Sequence, residues 1–156
     1  MRPSSLGVIA LPLMQQTYRK KLIPDDLFGL KFKEGVRFHV LETDLQTEPI
    51  RRKGKGTSFA EKIAGYIEIL ENGIAKKHWG ISRFSVLTLT GSSRRVQSMV
   101  DEVTAQTKHR PKLRDAFLFK VKPHLSAPHW LEPQLMPDLI TDPWTTANGP
   151  VFINKI

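Results

Sequence analysis

From Val36 to Asp44, apolar and polar side chains alternate: Val36-Arg37-Phe38-His39-Val40-Leu41-Glu42-Thr43-Asp44. A strand turns successive side chains to opposite faces. Val36, Phe38, Val40, Glu42 and Asp44 therefore share one face, and Arg37, His39, Leu41 and Thr43 the other. The strand expected from Val36 to Thr43 thus ends with two carboxylates leaving its apolar face. Charge there is costly unless it is paired or metal-bound. Just upstream, Leu27-Phe28-Gly29-Leu30-Lys31-Phe32 is strand-like and Lys33-Glu34-Gly35 supplies a turn, so the two runs predict a β-hairpin. Residues 1–20 fit a strand or a short helix equally well.

Downstream the period changes. Ser58-Phe59-Ala60-Glu61 has the form of a capping box. The spacing predicts a helix to about Leu70, stopped by Asn72-Gly73. Phe59, Ile63, Tyr66, Ile67 and Leu70 form its apolar stripe. Lys62 falls at the edge of that stripe, where it either snorkels to solvent or points into a site between helix and sheet. Phe84 to Thr90 predicts a central strand. After Gly91-Ser92-Ser93, the positions of Val96, Met99, Val100 and Val103 predict a second helix. Arg94 and Arg95 lie in its first turn, which disfavours cations unless an anion meets them there. Arg114 to Val121 predicts a last strand. The order β–β–α–β–α–β implies an α/β fold, a mixed sheet with helices packed on its faces. From Pro123 to Pro150 six prolines accompany Trp130 and Trp144. This predicts an extended tail that wraps the domain and docks its aromatics on the surface.

The 156 residues suit one domain, with 1–121 as its body and 122–156 as the extension. Charge adds a partner. Lys and Arg number 24 against 15 Asp and Glu, a net charge of +9, which favours a polyanion, nucleic acid before membrane surface. The basic, glycine-rich loop Arg51-Arg52-Lys53-Gly54-Lys55-Gly56 suits phosphate contact. Together Arg51, Arg52, Lys53, Lys55, Arg94 and Arg95 form the expected nucleic-acid-binding set. There is no cysteine, which excludes disulfides, thiolate metal sites and a Cys nucleophile. The apolar run from Leu6 to Met14 is too short to span a bilayer, and it contains Pro12. A cytoplasmic protein without a membrane partner is expected. Gly54-Lys55-Gly56-Thr57 lacks the first half of a P-loop. The five histidines show no ligand spacing.

Asp25 (or Asp26), Glu42 and Asp44 offer hard oxygen ligands of the kind that bind Mg²⁺ or Mn²⁺. A divalent ion so held activates water and stabilises charge on a phosphate, and a nearby lysine assists. Pro24-Asp25, a hairpin, then Glu42-Thr43-Asp44 at the end of its second strand resembles the core of the PD-(D/E)xK nuclease superfamily. More narrowly, Ile23-Pro24-Asp25-Asp26-Leu27-Phe28, the run from Phe38 to Glu48, and Lys62-Ile63-Ala64-Gly65-Tyr66 resemble the bacterial replication-relaxation family, proteins associated with plasmids and mobile elements. The resemblance covers roughly residues 22–121.

The resemblance implies a restriction-endonuclease-like fold, DNA as partner, and metal-dependent phosphodiester hydrolysis or a role in plasmid replication and relaxation. Asp25 takes the place of the first metal-binding aspartate and Glu42 that of the second acid. Asp44 stands where the superfamily usually carries lysine. Some members are thought to supply that lysine from the following helix, the position of Lys62. The implied catalytic set is Asp25, Glu42, Asp44 and Lys62, with the three acids on Mg²⁺ or Mn²⁺. Without an effective lysine, an inert DNA-binding accessory of replication, mobilisation or transcription is expected instead. Family members commonly carry a winged-helix region ahead of the nuclease-like part. This chain begins too close to Pro24-Asp25 to hold one, so DNA affinity is expected from its own basic surface or from a protein partner. A second copy of the chain is the remaining partner considered.

Overall fold

The computed structural model describes residues 8–10 (backbone only), 22–53, 58–122 and 136–155. Lys55 and Trp130 lie outside the described residues. Seven strands form one mixed sheet in chain order: β1 (Val8–Ala10), β2 (Asp26–Phe32), β3 (Gly35–Asp44), β4 (Phe84–Thr90), β5 (Phe117–Val121), β6 (Trp144–Thr146) and β7 (Gly149–Val151). The expected hairpin is present, with Leu27 opposite Val40 and Phe32 opposite Gly35 in the antiparallel β2–β3 pair. Residues 8–10, left open between strand and helix, pair antiparallel with β2.

From β3 the chain crosses through α1 (Phe59–Glu71) and α2 (Ile74–Trp79) to β4, which lies parallel to β3. It crosses again through α3 (Ser93–Gln106) and a 3-10 turn (Pro111–Ala116) to β5, parallel to β4. Both long helices start as their sequences require: Ser58 Oγ accepts from the Glu61 amide and Ser92 Oγ from the Arg95 amide. Asn72 caps the end of α1. Gly73, at φ 60°, then turns the chain into α2, a short helix between the expected helix and β4. The last parallel strand starts at Phe117 rather than Arg114, because Pro111 opens a 3-10 turn that absorbs Arg114 to Ala116.

Period two sorts the core into two layers. Toward the helices, Leu27, Val40, Val86, Phe117 and Phe119 pack against Phe59, Ile63, Tyr66, Val96, Met99 and Val103. On the reverse face, Leu30, Leu87, Leu89 and Leu118 pack with Trp144 and Ile153. The helices α1 to α3 thus lie on one face, and the C-terminal segment covers part of the other. That segment is more than an extended wrap. It holds a short helix, α4 (Asp138–Thr141), and a hairpin, β6–β7, that joins the sheet through a Phe119–Thr145 pairing. Trp144 is inside the core, 1 % exposed, its indole N–H donating to the Leu139 carbonyl at 2.9 Å. An indole placed there buries a large apolar area and satisfies its one donor, which surface docking would not achieve.

His39 is the polar exception on the reverse face. It is 3 % exposed and stacks at a tilt on Phe28 with centroids 5.4 Å apart, and neither ring nitrogen has a partner among the described residues. Burial, helped by the charge of Arg37, lowers its pKa from 6.5 to about 4. A base whose folded pKa is depressed contributes full stability above its unfolded pKa. That contribution is lost as pH falls through the window between 6.5 and about 4, because the unfolded chain then binds the proton more readily. The loss amounts to about 3 kcal/mol at the lower end. His39→Leu is expected to shrink the stability difference between pH 7 and pH 4.5 in urea unfolding. An unchanged difference would assign the acid sensitivity to other groups.

Candidate acid–lysine site

The site forms where β3 and β4 end and α1 begins. β3 and β4 run in parallel register with Glu42 beside Thr88 and Asp44 beside Thr90. All four side chains face the helices, by the alternation that also turns Val40 and Val86 inward. After Asp44 the chain reverses at Gln46, which adopts φ 62°. The reversal packs the Gln46 amide against Gly91, where a Cβ would come within 2.5 Å of Nε2. It also brings Glu48 back over α1. The result is a cleft of about 140 Å³ whose polar lining includes Glu42, Asp44, Glu48, Lys62, Tyr66 and Thr88.

Lys62 does not snorkel away from the sheet. Its Nζ lies 3.5 Å from Glu42 Oε2 and 3.5 Å from Glu48 Oε2, with the side chain about a third exposed. One turn further along α1, the Tyr66 hydroxyl donates to Glu42 Oε1. Glu42 is therefore gripped by two donors spaced i, i+4 on one helix. Burial still raises its pKa, and the nearby charge of Asp25 adds to the rise; Tyr66 and Lys62 act in the opposite direction. Burial alone would lower the pKa of Lys62, but the charges of Glu42 and Glu48 outweigh it and hold the ammonium charged. Burial and Glu42 together raise the Tyr66 phenol well above its ordinary value, so it remains a donor.

Asp25 is fixed to the end of β3. Its amide donates to the Leu41 carbonyl at 3.0 Å, and its Oδ2 accepts from the Thr43 amide at 2.6 Å. It lies on the helix side of β2, exposed, and close enough to Glu42 to perturb it electrostatically. Asp26 faces the other way along the strand, its Oδ1 accepting from the Leu27 amide at 2.8 Å. Of the two acids that the sequence left open, Asp25 is the one beside Glu42.

Asp44 belongs to a different arrangement. The Arg95 guanidinium donates Nε to its Oδ2 at 2.9 Å and Nη2 to its Oδ1 at 3.0 Å, and Thr90 Oγ1 donates to Oδ2 at 2.8 Å. Arg95 Nη2 also donates to the Glu48 carbonyl at 2.6 Å, tying α3 to the loop after β3. The anion that the first turn of α3 needed is thus an internal carboxylate. Asp44 is thereby engaged with Arg95 and Thr90 rather than with the Glu42 group, and Arg95 is turned inward onto a carboxylate. Both oxygens of Asp44 accept, and Nε and Nη2 of Arg95 donate. Arg51 is likewise engaged, its Nε donating to the buried Glu102 carboxylate. Arg52, Lys53 and Arg94 are exposed.

The acids that remain fit a hard divalent cation in part. Among the described residues no three acidic, His or Cys side chains converge on one point. Asp25 and Glu42 do share a face, and their mutual repulsion is what a cation relieves. Mg²⁺ is commonly held by one or two carboxylates with water completing the shell. Asp25 and Glu42 are the pair that would hold it.

Tyr66, Thr88 and Glu48 were not identified as site residues from sequence. Tyr66 was assigned to the apolar stripe, although its i+4 spacing from Lys62 placed both on one side of α1. Thr88 stands among apolar residues on β4; it is 1 % exposed, lines the cleft, and its hydroxyl has no partner among the described residues. A polar residue in phase with Val86 was the available signal.

Arg95→Ala leaves Asp44 largely buried without its partner and is expected to cost roughly 3 kcal/mol in urea unfolding. Arg95→Lys should recover little of this, since an ammonium cannot reproduce the two-pronged contact. A cost below about 0.5 kcal/mol would make the pair a surface ion pair in effect.

No protein-family model, no curated protein and no solved structure matches this chain.

Proposed function

We propose that this chain is a DNA-binding protein with a nuclease-like α/β fold of the restriction-endonuclease type, and that it hydrolyses phosphodiester bonds with a divalent cation. One observation carries this: the Lys62 ammonium, supplied by the helix after β3, lies 3.5 Å from the carboxylate of Glu42. That is the arrangement required if the lysine missing from β3 is to be replaced from α1. An antiparallel hairpin followed by a parallel strand on the far side of β3 is compatible with it.

When bound, Mg²⁺ or Mn²⁺ would acidify water and draw charge from a phosphate. The chain's own groups account for the remaining steps. Asp25 and Glu42 are the carboxylates that would hold the cation. Lys62, kept charged by Glu42 and Glu48, stabilises negative charge that builds on the phosphate oxygens as water attacks phosphorus. Tyr66 fixes the rotamer of Glu42. The family resemblance points to a plasmid or mobile-element setting, with nicking, cleavage or relaxation as the outcome.

A second reading rests on the same hydrogen bonds. Glu42 is engaged by two protein donors and Asp44 by Arg95 and Thr90. An inert DNA-binding accessory protein would keep such a network for stability alone.

The two readings separate on supercoiled plasmid. With Mg²⁺ or Mn²⁺ the wild-type chain is expected to nick or linearise it, and Glu42→Gln and Lys62→Ala each to reduce the rate by at least about 100-fold. Cleavage that survives both substitutions would place the chemistry elsewhere. Binding without cleavage by the wild-type chain would favour the accessory reading.

A further inference from the structure

A group of exposed cations with no acidic partner among the described residues gathers at the edge of the sheet opposite the acid–lysine cleft. β3, β4 and β5 are parallel, so all three end on the cleft side and begin on the other. Both crossovers therefore return to the starting edge: the segment from α2 to Arg83 before β4, and the segment from Thr107 to Ala116 before β5. A side-chain pair joins the two segments' approach, with Arg110 Nε 2.7 Å from Glu71 Oε1. Around that pair stand Lys76, Lys77, Arg83, Lys108 and Lys112, all exposed. None of the five has an acidic partner among the described residues. The acid within these segments, Asp115, accepts from the Asn148 amide, and Glu71 at the end of α1 pairs with Arg110. On the cleft side Arg51, Lys62, Arg95 and Lys122 pair with acids, while Arg52, Lys53 and Arg94 stand exposed.

We propose that this starting edge, formed by α2 and the turn after α3, is a docking surface for the phosphate backbone of duplex DNA. Two features favour nucleic acid over a protein or membrane partner. The charge is dispersed over separate side chains, which suits repeated phosphates that need positive charge without fixed geometry. Within the two segments no large apolar side chain is exposed, although Val36, 37 % exposed, stands nearby at the start of β3. The exposed ones, Ile23, Val36, Leu45 and Met136, lie outside both segments. A protein interface would need such an anchor, and so would an inserting membrane contact.

Seven residues of β4 separate the two edges, a span of about 20 Å. Binding at the basic edge and chemistry at the cleft are thereby separable, and the docking surface stands whether or not the cleft is catalytic.

The test uses the full chain and a fluorescent random-sequence duplex of about 20 base pairs, titrated from 50 to 200 mM NaCl. The triple variant Lys76→Glu, Lys77→Glu, Lys112→Glu is expected to bind at least about tenfold more weakly at 50 mM, with a log–log salt slope shallower by about three. The cleft-side variant Arg52→Glu, Lys53→Glu, Arg94→Glu, at the exposed cations that the sequence puts forward for phosphate contact, is expected to lose clearly less affinity than the edge variant. Circular dichroism and urea midpoints matching the wild type confirm that exposed substitutions left the fold intact. The proposal is overturned if the edge variant binds as the wild type does, if the cleft-side variant alone loses affinity, or if the wild-type chain does not bind the duplex at 50 mM. It is equally overturned if the edge variant loses binding only to anionic phosphatidylserine vesicles.

Discussion

A carboxylate on the apolar face of a central strand must be compensated or the strand does not form there. Glu42 is 5 % exposed between Val40 and the end of β3. Its compensation comes entirely from one helix, Lys62 and Tyr66 of α1, reaching the two oxygens from successive turns. The capping box at Ser58 sets where α1 begins, and so sets which residues reach Glu42. A shift of one residue in that start would rotate Lys62 by about 100° and carry it off the sheet. Cap, stripe and site are thus parts of one geometric requirement.

The neighbouring acid is handled differently. Asp44 is paired by Arg95, from the other long helix, in a two-pronged contact that also grips the Glu48 carbonyl. One strand end therefore anchors both helices through two acids of the same face. In the Asp44 pair both carboxylate oxygens accept from Arg95 or Thr90, as befits a structural clasp. The Glu42 group has a cleft beside it, an exposed aspartate near it, and in the cleft lining a threonine hydroxyl with no partner among the described residues. The difference between the two acids is one of surroundings rather than of residue type or spacing.

Charge is divided in a similar way. The net charge of +9 spreads over two edges of the sheet, and on the cleft side several cations serve as internal clasps. Composition counts Arg95 and Lys77 alike. Only placement shows that one is bound to a carboxylate at 14 % side-chain exposure while the other is exposed, with no acidic partner among the described residues.

Local pattern was enough to specify the hairpin, both long helices with their caps, β4, and the face on which Glu42 sits. These follow from nearest-neighbour rules: period two, period 3.6, a serine followed three residues later by glutamate. It was enough, too, to offer Lys62 as a candidate, since its angle on α1 depends only on the helix repeat. What pattern could not settle was anything that depends on a partner distant in sequence. The clasp of Asp44 by Arg95 spans 51 residues, and the descent of Trp144 into the reverse core depends on a pairing between β5 and β6. Whether Lys62 turned inward was likewise undecidable locally, because snorkelling and pairing use the same rotamers. The tertiary structure decided it by placing two carboxylates, from β3 and from the loop after it, within 3.5 Å of the same ammonium.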